Sequence, residues 1–379
     1  MDYNSVMNDE TRNINNKLSD MVLGHYRNVK SYESVKTPVL PDPSTHNDND
    51  AMIKLDANEN PFGVTKLVKN VLSDAVGTSI YPDPDQYKLR QSLSDYTGVA
   101  QEQIVAGAGS DELIDLIARL FVGPGDIVLS CGPTFGMYAF TASVLGAKIL
   151  NIPRKDDTYE LDIPAILEVI NKVKLVYLAS PNNPTGNLVD FEEIYPILQT
   201  GTPVVIDEAY YEFSGVSLAG LLKDFPNLMI LRTFSKWAGL AGLRVGYGLF
   251  PLDIANILMR VKSPYSVGTL AQSAAIASLA NKNEYSEQIA IIKNQRDLMY
   301  EKLSLISSIK THPSNANFLF LKIMNGKAKK VHAKLFKSGI SVRYFNQEEL
   351  KDFIRISIGM PDQNEAVLAV LTDRFIEEA

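Results

Sequence analysis

LRTFSKWAGLAGLRVGYG fills residues 231–248 and follows directly on the apolar residues Leu228, Met229 and Ile230. The run Leu228 to Leu231 reads as a strand that passes at once into Thr233, Ser235 and Lys236, with Arg244 eight residues further on. Similar continuous runs occur at Ile127-Val128-Leu129, Leu175-Val176-Tyr177-Leu178 and Val204-Val205-Ile206, separated by longer helix-like stretches. Continuous rather than alternating apolar runs suit strands covered on both faces. The expectation is an α/β fold with a mostly parallel sheet flanked by helices. A lysine just past such a strand lies at the sheet rim, where lost hydration lowers its pKa and suits it to Schiff-base chemistry. A rim lysine by itself is more often solvated surface. The hydroxyls of Thr233 and Ser235 and the guanidinium of Arg244 change that reading, because together they can hold a phosphate dianion.

Two further strand ends complete the pattern. In VVIDEAY (204–210) a strand ends in Asp207, with Tyr210 three residues later. Carboxylates at the ends of parallel strands lie where α/β sheets bind ligands, and a buried one calls for a cationic partner; a plain helix cap is the alternative. In QIVAGAGSDELIDLIARLF (103–121) a strand turns through glycines into a helix that starts at Ser110 and Asp111. Free amides at a helix start form an anion site, and the glycines allow a phosphate to approach. A carboxylate for a cationic ring, a rim lysine and two phosphate clamps are together what pyridoxal phosphate requires.

Beyond about Ser263 the pattern changes. A small-residue helix leads to a charged helix around Ile291 to Leu305, then a second α/β unit with strands at 318–321, 341–344 and 353–358, a helix near 327–337 and a final helix from about 362. In the last strand Ile354, Ile356 and Ile358 share one face, leaving Arg355 and Ser357 on the other. The polar amino terminus and the Pro, Asp and Asn cluster at 37–50 read as arm and linker. The expected division is an arm over 1–51, a large cofactor-binding domain over 52–265 and a small domain over 266–379.

Composition narrows the function classes. The 379 residues carry 37 Lys and Arg against 44 Asp and Glu, a net charge of -7, so neither a nucleic acid nor an anionic membrane surface is an expected partner. No apolar run reaches the ~18 residues of a membrane span. One cysteine, Cys131, allows no intrachain disulfide and fits a reducing, cytoplasmic setting. The histidines His25, His46, His312 and His332 are scattered without metal-ligand spacing, so no metal site is expected. The glycine cluster 107–109 lacks the remainder of a Walker loop or a dinucleotide fingerprint, and GVSLA at 215–219 reads as a loop rather than a nucleophile elbow.

SPNNPTG (180–186), DEAY (207–210), TFSK (233–236) and GLRVGYG (242–248) resemble the fold-type I aminotransferases. KLDANENPFG (54–63), YPDP (81–84), GAGSDELIDL (107–116) and CGPTFGMY (131–138) resemble the histidinol-phosphate aminotransferase branch of plants and some bacteria. The resemblance implies the following roles. Lys236 joins pyridoxal phosphate as a Schiff base and carries the proton between the substrate Cα and the cofactor. Asp207 keeps the pyridine nitrogen protonated, and Tyr210 with Asn183 binds the ring oxygen. Thr233, Ser235, Arg244 and the amides of Ser110 and Asp111 hold the cofactor phosphate, while Phe135 stacks on the ring where many relatives carry tyrosine. Tyr81 reaches the site of a neighbouring subunit, which implies a homodimer. Arg355 takes the substrate phosphate, helped by Arg343, Asn58 and an arm tyrosine, Tyr32 in preference to Tyr26. The implied reaction is transamination between L-histidinol phosphate and 2-oxoglutarate, giving imidazole acetol phosphate and L-glutamate, in histidine biosynthesis. Aromatic amino-acid aminotransferases, threonine-phosphate decarboxylase and a cofactor-binding protein without turnover stay open as alternatives.

Overall fold

The computed structural model describes residues 22–32, 52–74 and 77–378, so His46 and the expected linker at 37–50 lie outside the described residues, as does most of the arm. Twelve strands occur among the described residues: β1 (Ile53–Leu55), β2 (Ile104–Gly107), β3 (Ile127–Ser130), β4 (Lys148–Asn151), β5 (Leu175–Ala179), β6 (Val204–Asp207), β7 (Leu228–Thr233), β8 (Gly246–Leu249), β9 (Ile309–His312), β10 (Phe318–Ile323), β11 (Ile340–Tyr344) and β12 (Phe353–Ser357).

Seven of them form a sheet in the order β2-β8-β7-β6-β5-β3-β4. β7, β6, β5, β3 and β4 run parallel, and β8 alone is antiparallel to both of its neighbours. Every residue of β5, β6 and β7 is buried, as continuous apolar runs require when helices cover both faces. The two faces feed separate clusters. Val105, Val128, Tyr177, Val205 and Met229 pack with Ile114 and Ile117 on one side, and Ala106, Leu129, Val176, Ile206 and Ile230 pack toward the rest of the molecule on the other. β4 sits at the edge, and its residues stay largely exposed.

The second sheet has the order β1-β11-β12-β10-β9. Only β1 with β11 is parallel. Two elements therefore differ from the expected division. β1 lies just past residue 52, yet Ile53, Lys54 and Leu55 register against Ile340, Ser341 and Val342 of the small sheet. Conversely the helix Thr269–Ala280, expected in the small domain, packs on the helices Lys66–Ser73 and Tyr87–Thr97. The cause is shape: its alanines and serines give a backbone-close surface that accepts two helices, which a purely linear boundary does not register. The charged helix starts earlier than expected, spanning Lys282–Ser304.

β8 shows why glycine recurs in GLRVGYG. A Cβ on Gly246 would lie 2.5 Å from the Ser110 amide nitrogen and 2.8 Å from the Gly109 carbonyl carbon. Glycine there lets the start of the helix Ser110–Phe121 sit directly on the strand next to Thr233.

Candidate active site

The carboxyl ends of β2, β6 and β7 open into a cleft of about 1000 Å³ whose wall includes Lys236, Asp207, Tyr210, Asn183, Phe135 and Asn58. Ser110, Asp111, Thr233, Ser235, Arg244, Arg343, Arg355 and Tyr32 line it too. Of the residues assigned a role in the sequence, Tyr81 lies outside this lining. It is 78% exposed and stacks on Tyr265 with ring centres 4.5 Å apart. Tyr26 is likewise absent from the wall and packs on His25, whereas Tyr32 meets Phe135 edge-on at 6.3 Å.

Asp207 ends β6 in the floor of the cleft, buried. Its Oδ1 accepts from the Ala209 amide at 3.1 Å and its Oδ2 from the Tyr138 hydroxyl at 2.8 Å. Burial pushes its carboxyl up to about 6, which Tyr138 and Ala209 oppose by donating to the charged form. Among the described residues no cationic side chain pairs with it. The partner that a buried carboxylate calls for would have to come from the cleft itself.

Lys236 follows β7 and turns its Nζ to the Ala57 carbonyl at 2.9 Å. Loss of hydration lowers its pKa to about 8, and the positive charge of Arg355 works in the same direction. Thr233 and Ser235 are buried beside it, and the Ser235 amide donates to Thr233 Oγ1 at 3.0 Å. The helix that begins at Ser110 presents its first amides here, with Gly109 at φ 80° as the residue before it. Arg244 also has positive φ, 51°, and its Nη2 pairs with Asp111 Oδ2 at 2.9 Å. A Cβ on Gly109 would come within 2.5 Å of that Nη2, so glycine is needed for the guanidinium to reach the helix start. Hydroxyls, amides and one guanidinium around an open space are a donor set suited to a phosphate.

The opposite wall comes from the small sheet. Arg355 of β12 is buried, with Nη2 donating to the Asp56 carbonyl at 2.7 Å and Nη1 to Asn183 Oδ1 at 2.5 Å. Its buried Nε has no hydrogen-bond partner among the described residues, an arrangement expected of a guanidinium that waits for an anion. Arg343 on the neighbouring strand registers directly against Arg355. Tyr210 and Asn183, expected to share one ligand atom, are engaged separately: the Tyr210 hydroxyl accepts from Asn58 Nδ2 at 2.9 Å, while Asn183 is held by Arg355.

Several contributors were not singled out in the sequence. Tyr138 stands in the first turn of the helix Met137–Val144, just past Phe135, and its hydroxyl reaches Asp207. Ala57 acts through its carbonyl, for which a side-chain reading has no signal. Ser357 accepts from the Asn58 amide at 2.8 Å and donates to Asn58 Oδ1 at 2.9 Å, linking the small sheet to the segment that carries Asn58, which itself has φ 55°. The remaining described histidines are elsewhere: His312 lies among Tyr159, Phe320 and Phe353, and His332 beside Tyr344. Among the described residues there is no cluster of three or more side chains able to hold a metal ion, and no helix is long and apolar enough to cross a membrane.

The family model for aminotransferase class I and II matches residues 50–371. A histidinol-phosphate aminotransferase from Dehalococcoides mccartyi is 47% identical over 341 residues, covering 90% of this chain and 94% of that protein. The chloroplastic histidinol-phosphate aminotransferase of Nicotiana tabacum is 43% identical over 84% of this chain and 78% of its own length. Among solved structures, the histidinol-phosphate aminotransferase of Sinorhizobium meliloti in complex with pyridoxal-5'-phosphate superposes with a TM-score of 0.80 at 28% identity, covering 86% of this chain and 92% of that one. With the family model matched over most of its length and a cleft built from the family's motifs, the chain belongs to the class I and II aminotransferases.

Proposed function

We propose that the chain is a pyridoxal-phosphate-dependent aminotransferase that exchanges the amino group of L-histidinol phosphate with 2-oxoglutarate, yielding imidazole acetol phosphate and L-glutamate, a step of histidine biosynthesis. The observation that carries this reading is the whole-length likeness, 47% identity over 90% of the chain, to a protein of that name.

The donor set around Ser110, Thr233, Ser235 and Arg244 fits the cofactor phosphate, and Asp207, buried without a cation, fits a protonated ring nitrogen. When bound, pyridoxal phosphate supplies an electron sink for the carbanion formed at the substrate Cα. The chain supplies the rest. Lys236, mostly unprotonated above about pH 8 because the cleft strips its water, would hold the cofactor through its Nζ and would carry the proton to and from the substrate Cα. Phe135, Tyr210 and Asn183 line the same cleft as Asp207 and Ser235, which supports the ring-stacking and ring-oxygen roles proposed for them. Arg355, with Arg343, Asn58 and Tyr32, receives the substrate anion: a phosphate for L-histidinol phosphate, a carboxylate for 2-oxoglutarate.

A homodimer and a cytoplasmic location are part of the proposal. Tyr81 supports the first, since it is highly exposed and stands outside the cleft of its own chain. The lone, buried Cys131 supports the second. The division into arm, large domain and small domain is kept as well, with β1 assigned to the small sheet and the helix Thr269–Ala280 to the large unit.

The test is the absorption spectrum of the cofactor-loaded protein as L-histidinol phosphate is added without any oxo acid. Conversion to the pyridoxamine form is expected; a spectrum that stays unchanged overturns the substrate and directs attention to aromatic amino acids and threonine phosphate. Shared sites are tested by mixing Tyr81→Ala and Lys236→Ala chains, which should regain activity that neither has alone.

A further inference from the structure

Tyr138 has no assigned part in the site, yet it makes the closest contact to Asp207. It is fully buried on the helix Met137–Val144, and its ring is clamped on two sides. Tyr177 stacks on it, with centres 5.0 Å apart and planes inclined by 2°, and Phe135 meets it edge-on at 5.7 Å. The Tyr177 hydroxyl is itself anchored to the Ile114 carbonyl at 2.7 Å. A ring held in this way cannot swing, so the Tyr138 hydroxyl has one place to point. Burial and the adjacent carboxylate hold that hydroxyl well above the usual phenol range, which keeps it a donor at every working pH.

The charged groups facing Asp207 are otherwise unfavourable to its anion: Asp111 and Glu208 both raise its proton affinity. Against them stand Tyr138 and the Ala209 amide. A carboxylate has about four acceptor positions, so two donors leave room for a third from the cleft.

We propose that Tyr138 is a positioning residue for the transamination: its hydroxyl fixes the rotamer of Asp207 and makes the carboxylate a weak enough base that a shared proton stays on the cofactor's ring nitrogen. The inference rests on the proposed placement of that nitrogen against Asp207. Removing the hydroxyl leaves an acceptor vacant in a dry pocket, strengthens Asp207 as a base and draws the proton off the ring. A hydrogen bond to a charged group is worth a factor of roughly 10 to 100 in equilibrium or rate.

The experiment uses Tyr138→Phe, which keeps the ring and both of its stacking partners, loaded with pyridoxal phosphate labelled with 15N in the ring. Tyr177→Phe is the control, because it removes a buried hydroxyl one ring away that does not touch Asp207. In the unaltered protein the 15N resonance should lie at the protonated position from pH 6 to 9. Tyr138→Phe should move it toward the unprotonated position and lower kcat about 10- to 100-fold, with KM for the amino donor changed by less than about twofold. Tyr177→Phe should leave the resonance where it is. A Tyr138→Phe resonance that superposes on the unaltered one overturns the inference, and so does an equal shift in Tyr177→Phe, which would trace the effect to packing. An unprotonated nitrogen in the unaltered protein overturns it differently, by removing the placement of the ring against Asp207 on which it stands.

Discussion

Asp207→Asn in the cofactor-free protein should make stability less sensitive to pH, in a direction opposite to that of most carboxylate variants. Burial raises the folded-state value of Asp207 to about 6 against the usual 3.8. A raised carboxyl means that, between those values, the folded protein keeps a proton the unfolded chain has lost, so stability falls as pH rises through the window. The whole span corresponds to about 3 kcal/mol, and about 2 kcal/mol of it falls between pH 4.5 and pH 7.5. Asparagine never ionises and lacks this loss. Its amide also replaces one acceptor oxygen with a donor that faces either Tyr138 or Ala209, a cost of about 1–3 kcal/mol that does not vary with pH. The diagnostic quantity is therefore the pH dependence of the difference between the two proteins. Urea unfolding followed by fluorescence of the single tryptophan, Trp237, which is buried near Lys236, reads both. Relative to the unaltered protein, the variant should gain about 2 kcal/mol on going from pH 4.5 to pH 7.5. A difference that stays flat across that range would refute the reasoning, since it would mean that burial does not penalise the Asp207 anion. Loading with cofactor should shift the difference toward the unaltered protein at neutral pH, because a cationic ring nitrogen would stabilise the aspartate and not the asparagine.

Three other expectations are separable from this one. Arg355→Lys replaces a planar fork that bonds Asp56 and Asn183 with a point charge, so KM for a phosphorylated substrate should rise about 10- to 100-fold in steady-state assays while cofactor affinity holds. Gly246→Ala drives a methyl group against the backbone of Gly109 and Ser110; equilibrium titration should show cofactor affinity reduced at least ~10-fold, with overpacking costing about 1–3 kcal/mol of stability. The rate at which cofactor-free protein captures pyridoxal phosphate should climb with pH and level off above about 8, where the Lys236 amine is mostly unprotonated, and stopped-flow absorbance reads it; a rate still rising steeply at pH 10 contradicts the lowered pKa.

The fold class and the principal site residues were legible in the sequence because they rest on local signals. Runs buried on both faces left β5, β6 and β7 without alternation, and the residues just beyond β2, β6 and β7 carried the chemistry. Glycine at 107 and 109 was read as room for a phosphate, whereas the close approach of Gly246 to Gly109 and Ser110 is a tertiary contact. What depends on contacts between distant segments was not legible. β1 belongs to the small sheet because its partner is Ile340–Tyr344, nearly 300 residues away, and three residues of pattern cannot name a partner. Lys236 rests on the Ala57 carbonyl, a group common to all residues and so without a sequence signature. Tyr138 carried no reading of its own in the sequence, and tertiary packing put its hydroxyl on Asp207. Local sequence thus determined which strand ends carry reactive groups, because chain direction and burial pattern are written residue by residue. Tertiary structure decided the partners of those groups, because the Ala57 carbonyl, the Arg355 charge and the Tyr138 hydroxyl belong to segments distant in sequence that meet only in the folded chain.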